Sequence, residues 1–551
     1  MTNAAGEGSG ADADRERLHE LGYAQELHRG LGLFSNFAIS FSIISVLSGG
    51  LTSYWLGMVT GGPRAITLSW LVVGFFAMLV GMAMAEICSA YPTAGGLYFW
   101  SARLARTNGP RWAWFSGWFN LVGQVGTTAS VDYALAIFIG YFIRMLAPGF
   151  DLTVWTVFGI YLAVLATHAL LNTFGVRLLR VLGDISVWWH LVGVVVVVAL
   201  LALSSRGDQR GWSQVFDGEA GVLAGWGGRG FSVVYMFGIG MLLAQYTITG
   251  FDASAHVSEE TVGAAVHAPR AIVRSIYISA LAAFVLNLAM TKALPRAADR
   301  YQSVAFGGAG DAFLVNAAPR LFSEVLTPTL AKLVVLISIV AQFFCGLASV
   351  TANSRMIYAF SRDRALPGSR WWHRINPRTR TPTNSVWLAA GLAAAVGALS
   401  IYQRGGVSTA FFALTGICVV GLYIAYAIPI FLRLRSRDFV PGPWNLRGHH
   451  RVVGWAALAW VGLITVLFFG PVFRPFWPPF ATSVIDGSTV FHQNNVNFTG
   501  PLVVLAAVGF GLYWRFSGRH WFTGPRPQGN ADELAAIEEA LDRGGPDSGT
   551  P

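Results

Sequence analysis

The 551-residue chain is 54% hydrophobic and only 12% charged, against about 25% charge in an ordinary soluble chain, which excludes a soluble globular enzyme. Its net charge of +10 is spread between apolar runs and gathers into no groove-like stripe, so it reads as membrane topology and gives no sign of a nucleic-acid partner. Cys88, Cys345 and Cys418 all lie in apolar stretches without CxxC or ligand spacing, which argues for plain buried thiols and against a disulfide framework or a zinc site.

In chain order, residues 1–33 are polar, with no apolar signal core, and read as a cytoplasmic tail. Apolar runs follow at 34–58, 66–90, 113–143, 153–173, 178–203, 232–258, 271–293, 327–360, 384–402, 407–432, 452–472 and 499–515. Each is long enough for a membrane helix, and the longest would tilt or protrude. The expected class is therefore an all-α membrane protein of about twelve transmembrane helices. Residues 517–551 form a second polar tail, with an acidic helical patch at 532–543. With both tails in the cytoplasm, Arg15, Arg17, Arg29, Arg103, Arg106, Arg111, Arg177, Arg180, Arg270 and Arg274 fall inside, while Arg64, Arg404 and Arg474 stand alone in short outer loops. That asymmetry satisfies the positive-inside rule.

Two runs are not continuous helices. The first carries Ser48-Gly49-Gly50 at membrane depth and the sixth carries Thr249-Gly250-Phe251-Asp252. Glycine costs about 1 kcal/mol in a helix interior, and irregular backbone at that depth is tolerated only where it is buried or lines a cavity. The breaks lie five helices apart. Five is odd, so a second copy of a five-helix unit would sit inverted relative to the first. Interrupted segments at matching positions of two inverted halves point to a transporter's central site; the plainer reading is that the glycines let helices pack closely.

Three longer motifs carry a family resemblance: AEICSAYPTAGGLYFW (85–100), GFDASAHVSEE (250–260) followed by Pro269-Arg270-Ala271-Ile272, and SRMIYAFSRDRALP (354–367). Together they resemble signatures of the amino acid–polyamine–organocation superfamily, and in particular its amino acid/choline transporter branch, over roughly residues 20–440. The resemblance implies a leucine-transporter type fold with a 5+5 inverted repeat. Residues 34–203 would form one repeat, 232–433 the other, and 452–516 two further helices. It also implies secondary transport of a small amino acid or amine.

Site residues follow from chemistry and resemblance together. The half-helix after the first break would present amides and a positive dipole end to a carboxylate. By resemblance, Ser48, Gly49 and Gly50 would bind that carboxylate. A substrate amine would meet carbonyls near Val46 and Thr247. Tyr246 stands where relatives place an aromatic gate, and Gly250 and Phe251 stand beside the second break. Asp252 is an acid at membrane depth and therefore a coupling candidate. His190 is another, at a position where some proton-coupled relatives carry a lysine. Glu86, Glu259 and Glu260 read as gate or scaffold partners of Arg355 and Arg362. Asp132, Gln124, His168 and Asp184 carry no assigned role, and the His449-His450 loop lacks further metal ligands.

No GxxxxGK[ST], HExxH, catalytic triad or haem motif is present, so neither an enzyme nor a nucleotide-driven pump is expected, and no cofactor or metal. The leading expectation is an ion-coupled permease in the plasma membrane, using a proton or sodium and importing an amino acid by symport. The alternative is a carrier of carboxylate-free amines such as choline, ethanolamine or a polyamine. A zwitterion such as γ-aminobutyrate satisfies both halves of the site. A non-transporting nutrient sensor and a passive channel are the readings from other classes.

Overall fold

The structure, a computed structural model, describes residues 4–204, 209–216, 231–306, 316–401, 409–469, 483–485, 488–491 and 499–543. The short loops assigned to Arg404 and Arg474 lie outside the described residues. Twelve apolar helical segments follow in order. They are α1 (Leu33–Ile43), α2 (Gly62–Ala90), α3 (Gly109–Leu146), α4 (Val154–Thr173), α5 (Val176–Leu203) and α6 (Val234–Thr247). The second six are α7 (Ala264–Ala293), α8 (Pro328–Arg362), α9 (Thr383–Gly397), α10 (Thr409–Arg435), α11 (His450–Phe469) and α12 (Thr499–Tyr513).

Among the described residues ten helices are long and apolar enough to cross a membrane, while α1 and α6 are shorter. Both short helices stop at the glycine-bearing segments. After α1 the chain resumes helix at Gly49–Thr52 and Tyr54–Val59; after α6 it resumes at Ala253–His256 and Ser258–Glu260. At 38 residues, α3 is about 57 Å long at 1.5 Å per residue, well beyond the roughly 30 Å of hydrocarbon. It therefore reaches past the apolar layer. Between α11 and α12, Ser483–Ile485 and Ser488–Phe491 pair as two short antiparallel strands.

The bundle is apolar on its outer surface and buries polar side chains among the apolar ones of its interior. Leu71, Phe75, Trp188, Val195, Leu281 and Leu505 are exposed, whereas Asn120, Gln124, Asp132, His168 and Asp252 are fully buried or nearly so. In lipid this is the stable arrangement, because polar groups must find partners within the bundle. Packing is ordered around α2 against α7 and α3 against α8 and α10, with α1 leaning on α7.

Both tails pack together at one end, here called the tail side. The helix Ala531–Asp542 begins with a capping box, in which Asn530 accepts the Glu533 amide and the Glu533 carboxylate accepts the Asn530 amide. Its apolar face, Leu534, Ile537 and Leu541, closes over Ala24. Its Glu538 accepts the Gln25 amide at 2.7 Å, lies 2.7 Å from His19 Nε2 and pairs with Arg15.

Candidate functional site between the broken helices

The two breaks face each other across the middle of the bundle, and side chains from other helices satisfy much of their exposed backbone. Ser338 donates to the Leu47 carbonyl at 2.8 Å and Cys345 to that of Ile43 at 3.2 Å. Tyr423 donates to the Ile248 carbonyl at 3.1 Å and Ser40 to that of Phe251 at 2.9 Å. The Ser48 and Gly49 amides both donate to the Ser45 carbonyl, at 3.1 and 2.8 Å. Of the three amides singled out in the sequence, that of Gly50 alone has no acceptor among the described residues. The Val46 and Thr247 carbonyls accept from no donor among the described residues. The centre thus offers the Gly50 amide as a donor and the Val46 and Thr247 carbonyls as acceptors, beside further break amides unpaired among the described residues, such as those of Leu47 and Phe251, in a buried site where unsatisfied groups are costly.

Glycine is required at two of these positions for identifiable reasons. A Cβ on Gly49 would sit 2.6 Å from Thr247 Oγ1 and 3.1 Å from its Cα, so the two broken segments touch there. Gly250 has φ +85° and a Cβ on it would overlap Ile43 Cγ2. Gly50 is different: its Cβ would meet Asn287 Nδ2 at 3.5 Å and Trp70 at 3.6 Å, ordinary contacts. Beside it, Asn287 Oδ1 is buried without a hydrogen-bond partner.

Asp252 lies at the start of the half-helix Ala253–His256, completely buried. Tyr426 donates to its Oδ1 at 2.7 Å and Gln124 to its Oδ2 at 3.0 Å, while His256 Nε2 stands 3.2 Å from Oδ2. Phe251 is also buried and packs against the Tyr423 and Tyr426 rings, with centroids 6.3 and 5.0 Å away. Tyr246 donates to Ser130 on α3 at 3.0 Å. His190 on α5 reaches the first break: its Nδ1 is 2.8 Å from the Ser186 carbonyl and its Nε2 2.6 Å from Ser45 Oγ. Because a carbonyl can only accept, Nδ1 carries hydrogen, and a neutral ring accepts the Ser45 hydroxyl at Nε2.

On the tail side two buried ion pairs and one part-buried pair close the bundle. Arg355 pairs with Glu260 (Nε to Oε1, 2.7 Å), and Arg362 grips both oxygens of Glu259 at 2.9 and 3.1 Å. Glu86 sits apart from these two, bound to Arg433 at 3.1 Å and to the Leu446 amide at 3.3 Å. Its partner therefore comes from α10, whereas the sequence had suggested Arg355 or Arg362. Above the Glu259 pair, Glu26 of the N-terminal tail bonds Tyr358. Tyr23 and Tyr98 donate to Asp363, just beyond the end of α8, at 3.1 and 2.8 Å, and so does the Arg526 amide at 3.1 Å. Burial pushes the Asp363 carboxyl up to about 6 against the lowering pull of Arg362, Arg526, Tyr98 and Tyr23.

Asp132 and His168 form a further buried pair at 3.2 Å, joining α3 to α4. Asp184 is partly exposed on α5, and His450 Nδ1 lies 3.0 Å from the Arg447 carbonyl just before its helix. Tyr423, Tyr426, His256, Ser338 and Asn287 take part in the centre although sequence reasoning passed over them. The motif around His256 was noticed, but single tyrosines and serines within apolar helices give no signal until their partners are known.

A family model described as amino acid permease matches residues 31–515. The chain is 42% identical over 532 residues to amino-acid permease BAT1 of Arabidopsis thaliana, covering 93% of this chain and 96% of that protein. It is 39% identical to the BAT1 homolog of Oryza sativa subsp. japonica, covering 94% and 96%. It is 30% identical to an uncharacterized amino-acid permease of Schizosaccharomyces pombe, covering 94% and 90%.

Proposed function

Since this chain belongs to the amino acid permease family of the amino acid–polyamine–organocation superfamily, we propose that it imports an amino acid or similar zwitterion across the plasma membrane by proton-coupled alternating access. The observation that carries this reading is the complementarity of the centre. The Gly50 amide is a free donor for a carboxylate, and the Val46 and Thr247 carbonyls are free acceptors for an amine. In this reading Ser48 and Gly49 contribute when a substrate carboxylate replaces the Ser45 carbonyl, and Tyr246 and Phe251 wall the substrate.

The inverted repeat is part of the proposal. Contacts of the second helix with the seventh and of the third with the eighth are those a two-fold relation between spans 1–5 and 6–10 calls for. The tail side is taken as cytoplasmic, which places the Glu259–Arg362 and Glu260–Arg355 pairs at the inner gate and Glu86–Arg433 in its scaffold. Asp252 is the coupling carboxylate, held by Tyr426 and Gln124 next to the substrate. His190 is the second coupling group: protonation at Nε2 would reverse the Ser45 hydroxyl, which then points its lone pairs at the ring.

Uptake into proteoliposomes of labelled amino acids, γ-aminobutyrate, choline, ethanolamine and putrescine, with and without proton and sodium gradients, tests this. Uptake of a carboxylate-bearing substrate under a proton gradient is the expected result. Uptake restricted to choline or putrescine would move recognition to Tyr246 and Asp252 and overturn the carboxylate assignment. Binding without flux would identify a sensor.

A further inference from the structure

His256 has three neighbours that fix its proton inventory. Its Nδ1 lies 3.0 Å from the Ala94 carbonyl, and its Nε2 lies 3.2 Å from Asp252 Oδ2 and 3.1 Å from Asn120 Nδ2. A carbonyl oxygen accepts and never donates, so Nδ1 carries a hydrogen. With that hydrogen in place, the contact between Nε2 and Oδ2 is a hydrogen bond only if one further proton lies between them, on the imidazole or on the carboxyl. Without it, the Nε2 lone pair would accept from the Asn120 amide at 3.1 Å while standing 3.2 Å from a carboxylate oxygen inside a fully buried site. Because the Asn120 amide also donates toward Nε2, a proton held by this pair sits on Asp252 Oδ2 with Nε2 as its acceptor, and the pair is then neutral overall.

The same histidine is joined to the gate. His256 takes the carbonyl of Ala94, and Glu259 Oε1 takes its amide at 2.9 Å. Glu259 is in turn gripped by Arg362. One residue of the YPTAGG segment, Ala94, thus lies between the proton pair and a gate ion pair. Gly96, at φ +47°, lets that segment lie against the ring, where a Cβ would stand 3.2 Å from His256 Cε1. The other titratable groups near the pair are Tyr423, Tyr426 and Cys418 of α10. The nearest charges along its own segment are Glu259 and Glu260, each held by an arginine.

We propose that His256 is the proton exit of the transport cycle, relaying a proton from Asp252 to the tail side through its two ring nitrogens when the Ala94 peptide moves away. The relay balances as follows. The proton shared with Asp252 settles on Nε2, the Nδ1 proton passes to water once Ala94 uncovers it, and a neutral imidazole is left donating from Nε2 to an ionised Asp252. The pair changes from neutral to a single negative charge, and one proton leaves. While the gate is closed, the Ala94 carbonyl occupies Nδ1 and the proton has no exit on that side. This inference rests on the proton-coupled reading above.

The test compares the wild type, His256→Gln and Asn120→Leu in proteoliposomes, using the labelled amino acid that the wild type takes up fastest. Accumulation driven by a proton gradient is measured beside exchange at equal pH. Glutamine can occupy the space and bond to Ala94 but cannot pass a proton, so the ratio of driven accumulation to exchange is expected to fall at least about tenfold. Driven accumulation by His256→Gln at the wild-type ratio would overturn the relay. Should that variant fail to reach the membrane, Asn120→Leu decides. It removes the side chain whose Oδ1, buried without a partner, can turn to accept the hydrogen arriving on Nε2, so proton release slows and driven uptake falls while exchange stays near wild type; parallel changes in both would overturn the relay. A wild type that shows no proton-driven accumulation at all would instead refute the coupling reading itself.

Discussion

The three glycines at the breaks serve different physical ends, and their substitutions separate those ends. Gly49 is pressed on Thr247, Gly250 is held at a positive φ against Ile43, and Gly50 has room for a methyl group. Alanine keeps the amide in every case. Gly49→Ala and Gly250→Ala are therefore expected to reduce uptake by at least tenfold, the second with an added cost of about 1–2 kcal/mol for the left-handed backbone. Gly50→Ala should stay within a few-fold of wild type, because in the proposed site its amide and not a side chain serves the substrate. Initial uptake rates normalised to protein in the membrane check this, and equal loss in all three would show that the amide assignment has no basis. Asp252 was legible in the sequence because an acid beside a glycine break at membrane depth needs a reason. His256 was not. Its meaning depends on Ala94, 162 residues away, and on Asn120, 136 away, and no local pattern encodes either contact.

At the scale of elements, the sequence carried the helices well, since runs of apolar residues of bilayer length have few alternatives. The breaks were legible for the same reason in reverse: glycine pairs and an acid are conspicuous inside such runs. Partner choice was less so. Glu259 and Glu260 meet Arg362 and Arg355, but Glu86 turns to Arg433 on α10, reached through a packing direction that hydropathy does not specify. Glu260→Gln leaves the fully buried Arg355 guanidinium without its counter-charge, and breaking a buried pair from one side costs about 3–5 kcal/mol. The melting temperature in detergent is expected to fall by several degrees, and replacing Arg355 with Met in the same protein should restore part of the loss. A melting temperature unchanged by Glu260→Gln would mean that the pair contributes nothing to the closed gate.

At the scale of the molecule, the two tails and the end of α8 form one cytoplasmic closure in the proposed orientation, with Asp363 at its centre under Tyr23, Tyr98 and the Arg526 amide. Composition marked both tails as polar but gave no hint that they meet, because the Ala24 and Leu534 contact links opposite ends of the chain. The Asp363 carboxyl is raised from 3.8 to about 6. Its contribution is therefore fully present below pH 3.8 and is lost as pH rises through 6. A shift of that size corresponds to something on the order of 3 kcal/mol. Asp363→Asn should gain on the wild type in thermal stability between about pH 4 and 7 and then run level with a constant offset. Parallel melting curves across that range would contradict the buried, raised carboxyl.

The most direct test of the central claim is the steady-state accumulation of a labelled amino acid in proteoliposomes under an inward proton gradient, with sodium absent. The account predicts an internal concentration above the external one that collapses when a protonophore is added. It also predicts that Asp252→Asn equilibrates the same substrate without concentrating it. Accumulation that needs sodium, or that persists unchanged in Asp252→Asn, would contradict it.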